Sequence, residues 1–277
     1  MAQILVVGGS GTVGSELVKI LAAEGHQVRV ATSKPTTEAG KVHVNLLTGE
    51  GIDAAFENVD RAFFLSPGTY VDQYALLAPL VRKAKEAKLK KVVLMTALGV
   101  EHAEGTPFRR VELDLIASGV PYNILRPSWF QQNFLNFWGY GIKNFNTISL
   151  PVGDGKTGFI DSRDISAVAA KLLTSDTFNN QEFTLTGPEA LTHDEIAKII
   201  ADATGKPVVF KENTPDELRP VLVGAGIPAD YVEVLITILG FIKAGYTNVV
   251  TDSVEKVTGK KPRDFKSYAK EAADSWK

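Results

Sequence analysis

The sequence predicts an α/β fold: a doubly wound parallel sheet with a smaller, mostly helical lobe toward the C-terminus. Three observations carry this reading. Short, largely apolar runs fall at residues 4–7, 28–31, 62–65, 91–95 and 122–125. Segments with helical spacing separate several of them. A glycine-rich turn follows the first run directly. Strands that are apolar on both faces need cover on both faces, and strand–helix–strand crossovers provide it. Each crossover is expected to be right-handed.

The strand at 4–7 leads into a helix over 13–23, where Val13, Leu17, Ile20 and Leu21 recur at helical spacing. Residues 28–31 form the second strand, and the looser segment 42–46 leads to the strand at 62–65. A helix over 74–87 precedes 91–95, the most hydrophobic strand. A helix over 109–118 and a strand at 122–125 complete the alternation. The pattern changes after Pro127. Residues 128–157 are rich in asparagine, glycine and aromatics, among them Trp129, Phe130, Phe134, Phe137, Trp138, Tyr140 and Phe145. A compact helix at 165–173 and a strand at 182–185 follow. Thr192 and Glu195 have the spacing of a capping box for a helix over 193–203, which Gly205 ends. Further helical stretches fall at 217–223, 229–243 and 265–273. The expected organisation is a core over 1–157, with 158–186 returning to the sheet, and a substrate-side lobe over 187–277.

Composition narrows the chemistry. The chain has 277 residues, 44% of them hydrophobic, which is enough for a full core. A net charge of −2 offers no field to gather nucleic acid or anionic lipid. Lys85, Lys88, Lys90 and Lys91 gather at the end of a helix, where they are expected to complement its dipole and solvate a surface. With no cysteine, thiolate catalysis and zinc–thiolate sites are excluded. The four histidines are not spaced as metal ligands, so no metal is expected. No run approaches the roughly 18 apolar residues of a membrane span. The N-terminus lacks the pattern of a signal peptide, and a cytoplasmic protein is expected. A homo-oligomer is left open.

The turn after the first strand reads Gly8-Gly9-Ser10-Gly11-Thr12-Val13-Gly14. Gly8 permits a tight turn, Gly11 lets backbone approach a pyrophosphate, and Gly14 lets the helix pack against the sheet. The helix N-terminus then offers free N–H groups to the anion. This is the Rossmann-type dinucleotide turn in its required context, strand before and helix after. The end of the second strand chooses the cofactor. NAD sites place a carboxylate there for the ribose 2′-hydroxyl. Thr32, Ser33 and Lys34 stand there instead, and no carboxylate follows until Glu38. Hydroxyls and an ammonium suit a 2′-phosphate, so NADP is the expected cofactor, with NADPH preferred over NADH.

Several segments together resemble the NmrA-like family of atypical short-chain dehydrogenases/reductases. They are the turn at 8–14, Thr-Ala-Leu-Gly at 96–99, Ser-Gly-Val-Pro-Tyr-Asn-Ile-Leu-Arg-Pro at 118–127, Ser-Trp-Phe-Gln-Gln-Asn-Phe at 128–134 and Phe-Ile-Asp-Ser-Arg-Asp-Ile at 159–165. The resemblance implies that Gly8, Ser10, Gly11, Thr12, Val13, Gly14, Thr32, Ser33, Lys34, Leu65, Ser66, Pro67, Thr96, Ala97 and Pro127 hold the cofactor. It implies NADPH-dependent reduction of quinones, azo dyes or triphenylmethane dyes, or else a redox sensor that binds the dinucleotide, catalyses nothing and regulates a partner protein.

The chain departs from standard short-chain dehydrogenases in lacking their Tyr-x-x-x-Lys pair. The lysine position falls near Phe108 and the tyrosine position near Glu104. Arg109 and Arg110 are read as ribose contacts, as surface charges, or as partners of Glu112 and Asp114. Thr96 and His102 are the remaining candidates for a proton donor, each against a structural or solvated reading. Asp161, Arg163 and Asp164 read as a structural ion-pair segment. Trp129, Phe130, Asn133, Phe137 and Tyr140 are candidate walls of a cleft for a small aromatic substrate, with core packing as the alternative. Basic residues do not interleave with these rings, which disfavours a nucleic-acid platform.

Overall fold

The computed structural model describes residues 2–277. Its packing divides into two compact units, 1–127 with 163–184, and 128–162 with 185–277. The aromatic stretch 128–157, grouped with the core on sequence, packs within the second unit.

The first unit is built on β1 (Gln3–Val6), α1 (Thr12–Ala23), β2 (Gln27–Thr32), β3 (Lys41–His43), α2 (Ile52–Phe56), β4 (Arg61–Phe64), α3 (Gln73–Glu86), β5 (Lys91–Met95), α4 (Pro107–Ser118) and β6 (Tyr122–Pro127). After the excursion into the second unit come α7 (Ser162–Thr174) and β8 (Gln181–Leu185). The seven strands lie in the order β3-β2-β1-β4-β5-β6-β8. The pairings β1–β2, β1–β4, β2–β3, β4–β5 and β5–β6 are all parallel. The order reverses between β1 and β4, the switch point at which such sheets hold ligands.

Alternate strand residues explain the layers. Leu5, Val7, Ala62, Phe64, Val92, Leu94 and Ile124 bury one face against α2, α3 and α4. Ile4, Val6, Phe63 and Val93 are equally buried on the other face. Ser166 Oγ of α7 donates to the Val13 carbonyl of α1 at 2.8 Å, which joins those two helices. Lys91 departs from the expected solvated lysine cluster. It is fully buried, and its ammonium donates to the Ser175 carbonyl at 3.0 Å and to Asn179. Burial pushes its pKa down to about 8, against the pull of Asp176.

The second unit contains α5 (Asn133–Asn136), α6 (Gly139–Phe145), β7 (Thr147–Leu150), α8 (His193–Thr204), β9 (Val209–Glu212), α9 (Pro215–Gly224), α10 (Ala229–Lys243), α11 (Ser253–Thr258) and α12 (Phe265–Trp276). The Thr192–Glu195 capping box forms as the spacing predicts, and Thr214–Glu217 forms a second one at the start of α9. β7 and β9 pair as a small parallel sheet. Phe134 centres the core, and Trp276 Nε1 of α12 donates to its carbonyl at 2.8 Å.

His193 is fully buried inside this core. The rings of Phe134, Trp138, Phe159 and Phe210 lie 5.4–5.9 Å from it, and neither ring nitrogen has a hydrogen-bond partner among the described residues. Burial pushes its pKa down to about 4. Between that value and the ordinary 6.5 the unfolded chain binds the extra proton, so stability falls as pH drops through this window. The full penalty, reached below pH 4, is roughly 3 kcal/mol. His193→Phe is expected to remove this component. The three tryptophans, Trp129, Trp138 and Trp276, all lie in the second unit, so their emission follows its unfolding in urea. The wild type should lose roughly 3 kcal/mol more than the variant between pH 7 and pH 4. Parallel losses would show that the ring is protonated without cost.

Candidate active site

The site in the first unit begins at the turn between β1 and α1. Gly8 has φ +84°, a conformation that side chains avoid. A Cβ at Gly14 would lie 2.2 Å from the Gly8 carbonyl oxygen, so α1 packs on the turn's own backbone. This corrects the expectation that Gly14 packs against the sheet. Gly11 caps α1 in extended conformation, and its N–H donates to Gly8 O at 3.1 Å. A Cβ there would meet only Gly8 O, at 3.4 Å, so the space beyond Gly11 is open. No side chain caps α1, and its first turn holds no acid. Ser10, Gly11 and Thr12 are exposed, Val13 is buried, and the Ser10 and Thr12 hydroxyls make no hydrogen bond among the described residues. The result is an uncapped, positively polarised helix end, which fits a pyrophosphate.

At the end of β2, Thr32 Oγ1 accepts from the Lys34 N–H at 3.2 Å, while Ser33 and Lys34 are exposed. The Lys34 ammonium has no carboxylate partner among the described residues, and Glu38 is paired with Lys41 at 2.6 Å. After β4, Leu65 lies against Gly8, Ser66 is buried and Pro67 is exposed. Ala97 is half-buried after β5, and the Pro127 carbonyl at the end of β6 accepts from Leu98 N at 3.0 Å. These residues follow or end β1, β2, β4, β5 and β6 on the carboxyl side of one parallel sheet.

The proton-donor candidates fare differently. Thr96 is buried, and its Oγ1 donates to Glu112 Oε1 at 2.7 Å, so its proton is already engaged. His102 is exposed, at the end of a short 3₁₀ turn. Neither arginine of α4 is free. Arg109 pairs with Glu112 at 3.0 Å, and Arg110 stacks 3.7 Å over the ring of Tyr74, whose hydroxyl donates to Asp114 at 2.8 Å.

Sequence reasoning missed the partner of Glu112. Arg126, 4% exposed, donates from Nε to Glu112 Oε1 at 2.9 Å and from Nη2 to Oε2 at 2.7 Å. Its Nη2 also lies 2.6 Å from Glu182, and its Nε 3.4 Å from Glu101. Burial works against the guanidinium charge, but the hydrogen bonds and charge of Glu112, with Glu182 and Glu101, outweigh it and raise the pKa. A lone arginine in an otherwise buried strand was the available signal, because such a charge needs a buried acid.

The second unit holds the substrate-side candidates. Trp129 and Phe130 are half-buried, and Trp129 lies 6.0 Å from Trp138. Asn133 is nearly buried, yet its carboxamide makes no hydrogen bond among the described residues. Phe137 and Tyr140 are 64% and 72% exposed. Gln132 donates to Asp161 at 3.0 Å and accepts from Ser162 N at 2.9 Å, which ties the residue before Asn133 to the segment 161–162.

The model of the NmrA-like family matches residues 1–271. A Bacillus subtilis (strain 168) protein described as the uncharacterized oxidoreductase YesF is 33% identical over 276 residues, covering 99% of this chain and 96% of its own. The NAD(P)H azoreductase of Xenophilus azovorans is 31% identical over 279 residues, covering 97% of each chain. Among solved structures, Citrobacter sp. triphenylmethane reductase complexed with NADP(H) shares the fold, with a TM-score of 0.83, 22% identity, and coverage of 98% of this chain and 99% of its own. The chain belongs to the NmrA-like family, and within it to the nicotinamide-dependent oxidoreductases.

Proposed function

We propose that the protein is an NADPH-dependent reductase whose acceptor is a planar, electron-poor aromatic such as a quinone, an azo dye or a triarylmethane dye. The observation that carries the reading is the open, uncapped start of α1 beside an acid-free Thr32–Lys34 loop, on a chain without a Tyr/Lys pair. Bound NADPH supplies the hydride. The α1 N-terminus and Gly11 receive the pyrophosphate, and Lys34 with the hydroxyls of Thr32 and Ser33 receives the 2′-phosphate. Trp129 and Phe130 of the second unit offer half-buried aromatic surface to a flat acceptor, and the Asn133 carboxamide, without a hydrogen bond of its own among the described residues, offers it a polar contact. Hydride transfer to a quinone or an azo dye gives a stabilised anion that solvent can protonate, and transfer to a cationic triarylmethane dye gives a neutral product directly, so no protein acid is required. Loss of the NADPH absorbance band on addition of quinones and dyes tests the reading: steady oxidation by such an acceptor supports it, and oxidation by none of them overturns this choice of acceptor.

NADPH is expected to bind at least about tenfold more tightly than NADH, and Lys34→Ala should remove most of that difference, about 1.5–3 kcal/mol for a charge-assisted hydrogen bond. Equal wild-type affinities in calorimetric titrations would remove Lys34 from the site.

Gly11→Val should abolish dinucleotide binding while the thermal midpoint stays close to that of the wild type, because the added side chain meets open space rather than protein. Retained binding would place the pyrophosphate elsewhere.

At saturating NADPH with one quinone, Thr96→Val, His102→Ala and Tyr140→Phe should each lower turnover less than about tenfold, since general acid catalysis is worth roughly 10²–10⁴-fold where it operates. Trp129→Ala should raise KM or lower kcat clearly. A thousandfold loss in any of the first three would identify a protein acid.

A further inference from the structure

Thr96 reaches the carboxyl end of β5 with its proton already committed. A carboxylate oxygen can only accept, so the 2.7 Å contact with Glu112 Oε1 fixes the hydroxyl as donor inward. Glu112 is fully buried and is gripped from other directions by Arg126, at both of its oxygens, and by Arg109 Nη1 at Oε2, 3.0 Å away. Arg126 is itself held by Glu182 and Glu101. The carboxylate has no freedom to turn, and the Thr96 hydroxyl keeps only lone pairs for any further partner.

Packing gives no reason for this cluster. Val111 and Leu115 on α4 already join the apolar core, and a buried ion pair contributes little over apolar residues of similar volume. Its position supplies a reason. Glu112 is one helical turn past Phe108, on the same side of α4, and the lysine position of standard short-chain dehydrogenases falls near Phe108. The chain lacks that hold on the cofactor.

We propose that Glu112 is a positioning residue: locked by Arg126 and Arg109, it turns Thr96 into an obligate acceptor for a hydroxyl of the nicotinamide ribose, in place of the missing lysine. This rests on the reading of the site as an NADP(H) site. Thr96 therefore holds the cofactor and passes no proton to the acceptor.

The test is calorimetric titration with NADP⁺ and with adenosine 2′,5′-diphosphate, which lacks the nicotinamide ribose. Thr96→Val should weaken NADP⁺ roughly 3–10-fold, the worth of one hydrogen bond, and leave the adenosine diphosphate unchanged. Thr96→Ser should keep wild-type affinity for both. Glu112→Gln keeps its oxygen on Arg126 Nη2 and Arg109 Nη1, the two bonds at Oε2, and turns its amide to Thr96, which reverses the hydroxyl and gives up the Arg126 Nε bond. It should weaken NADP⁺ in the wild-type background but have no further effect in Thr96→Val. If Glu112→Gln does not fold, Arg109→Gln, which removes one grip, replaces it in the cycle. Unchanged NADP⁺ affinity in Thr96→Val, equal loss for both ligands, or additive effects of the two substitutions would each overturn the proposal while leaving the cofactor site in place. A wild type that binds neither ligand would overturn the site reading as well.

Discussion

The first unit depends on how closely the start of α1 approaches the turn that precedes it. Gly14 sits where a Cβ would penetrate the Gly8 carbonyl, and Gly9 where one would lie 2.7 Å from Val30. Both contacts are met only by hydrogen. The helix axis is thereby aimed at the end of β1, and its first N–H groups open beside the reversal in strand order. A larger residue at Gly14 would push the helix away and remove the polarised end from the sheet. The proposed cofactor site follows from this steric constraint, and the proposed roles of Thr32, Ser33 and Lys34 concern only which dinucleotide it accepts.

The second constraint is electrostatic. Arg126 and Glu112 are charges in an otherwise apolar layer of β6 and α4, and each is tolerable only because the other is present. Removing one partner of such a pair costs about 3–5 kcal/mol. The pair also settles the chemistry nearby. It consumes the proton of Thr96 and, with the Arg110–Tyr74 stack, leaves no free cation on α4 among the described residues to activate an acid. The proposed acceptors, flat and electron-poor, suit such a site better than simple ketones, because their reduction needs no acid from the protein.

Much of the first unit was legible because its signals are local. Five apolar strands and the glycine turn each occupy a few neighbouring residues and appear where expected, as does the equally local Thr192–Glu195 cap in the second unit. The parallel pairing of β7 with β9 was not legible: the strands are four residues each, some sixty residues apart, and nothing local registers them. The Thr214–Glu217 box was present in the sequence, and reading it would have moved the start of α9 back to Pro215. In the candidate site, the glycines of the turn could be read from spacing, because backbone geometry dictates glycine there. The Glu112–Arg126–Thr96 network could not, since α4 and β6 bring together side chains whose pairing depends on tertiary packing. The aromatic segment resolved only in part: Phe134 is core, while Phe137 and Tyr140 are exposed, and helical spacing alone does not separate them.

The central claim is direct hydride transfer without a protein acid, and single-turnover kinetics test it most directly. A preformed complex with NADPH is mixed with a quinone, and the decay of the cofactor band is followed in H₂O and D₂O, with protiated cofactor and with cofactor deuterated at the transferred position. The account predicts a slower decay with the deuterated cofactor and little change in D₂O. A large solvent isotope effect, or a decay no faster than in the absence of protein, would contradict it.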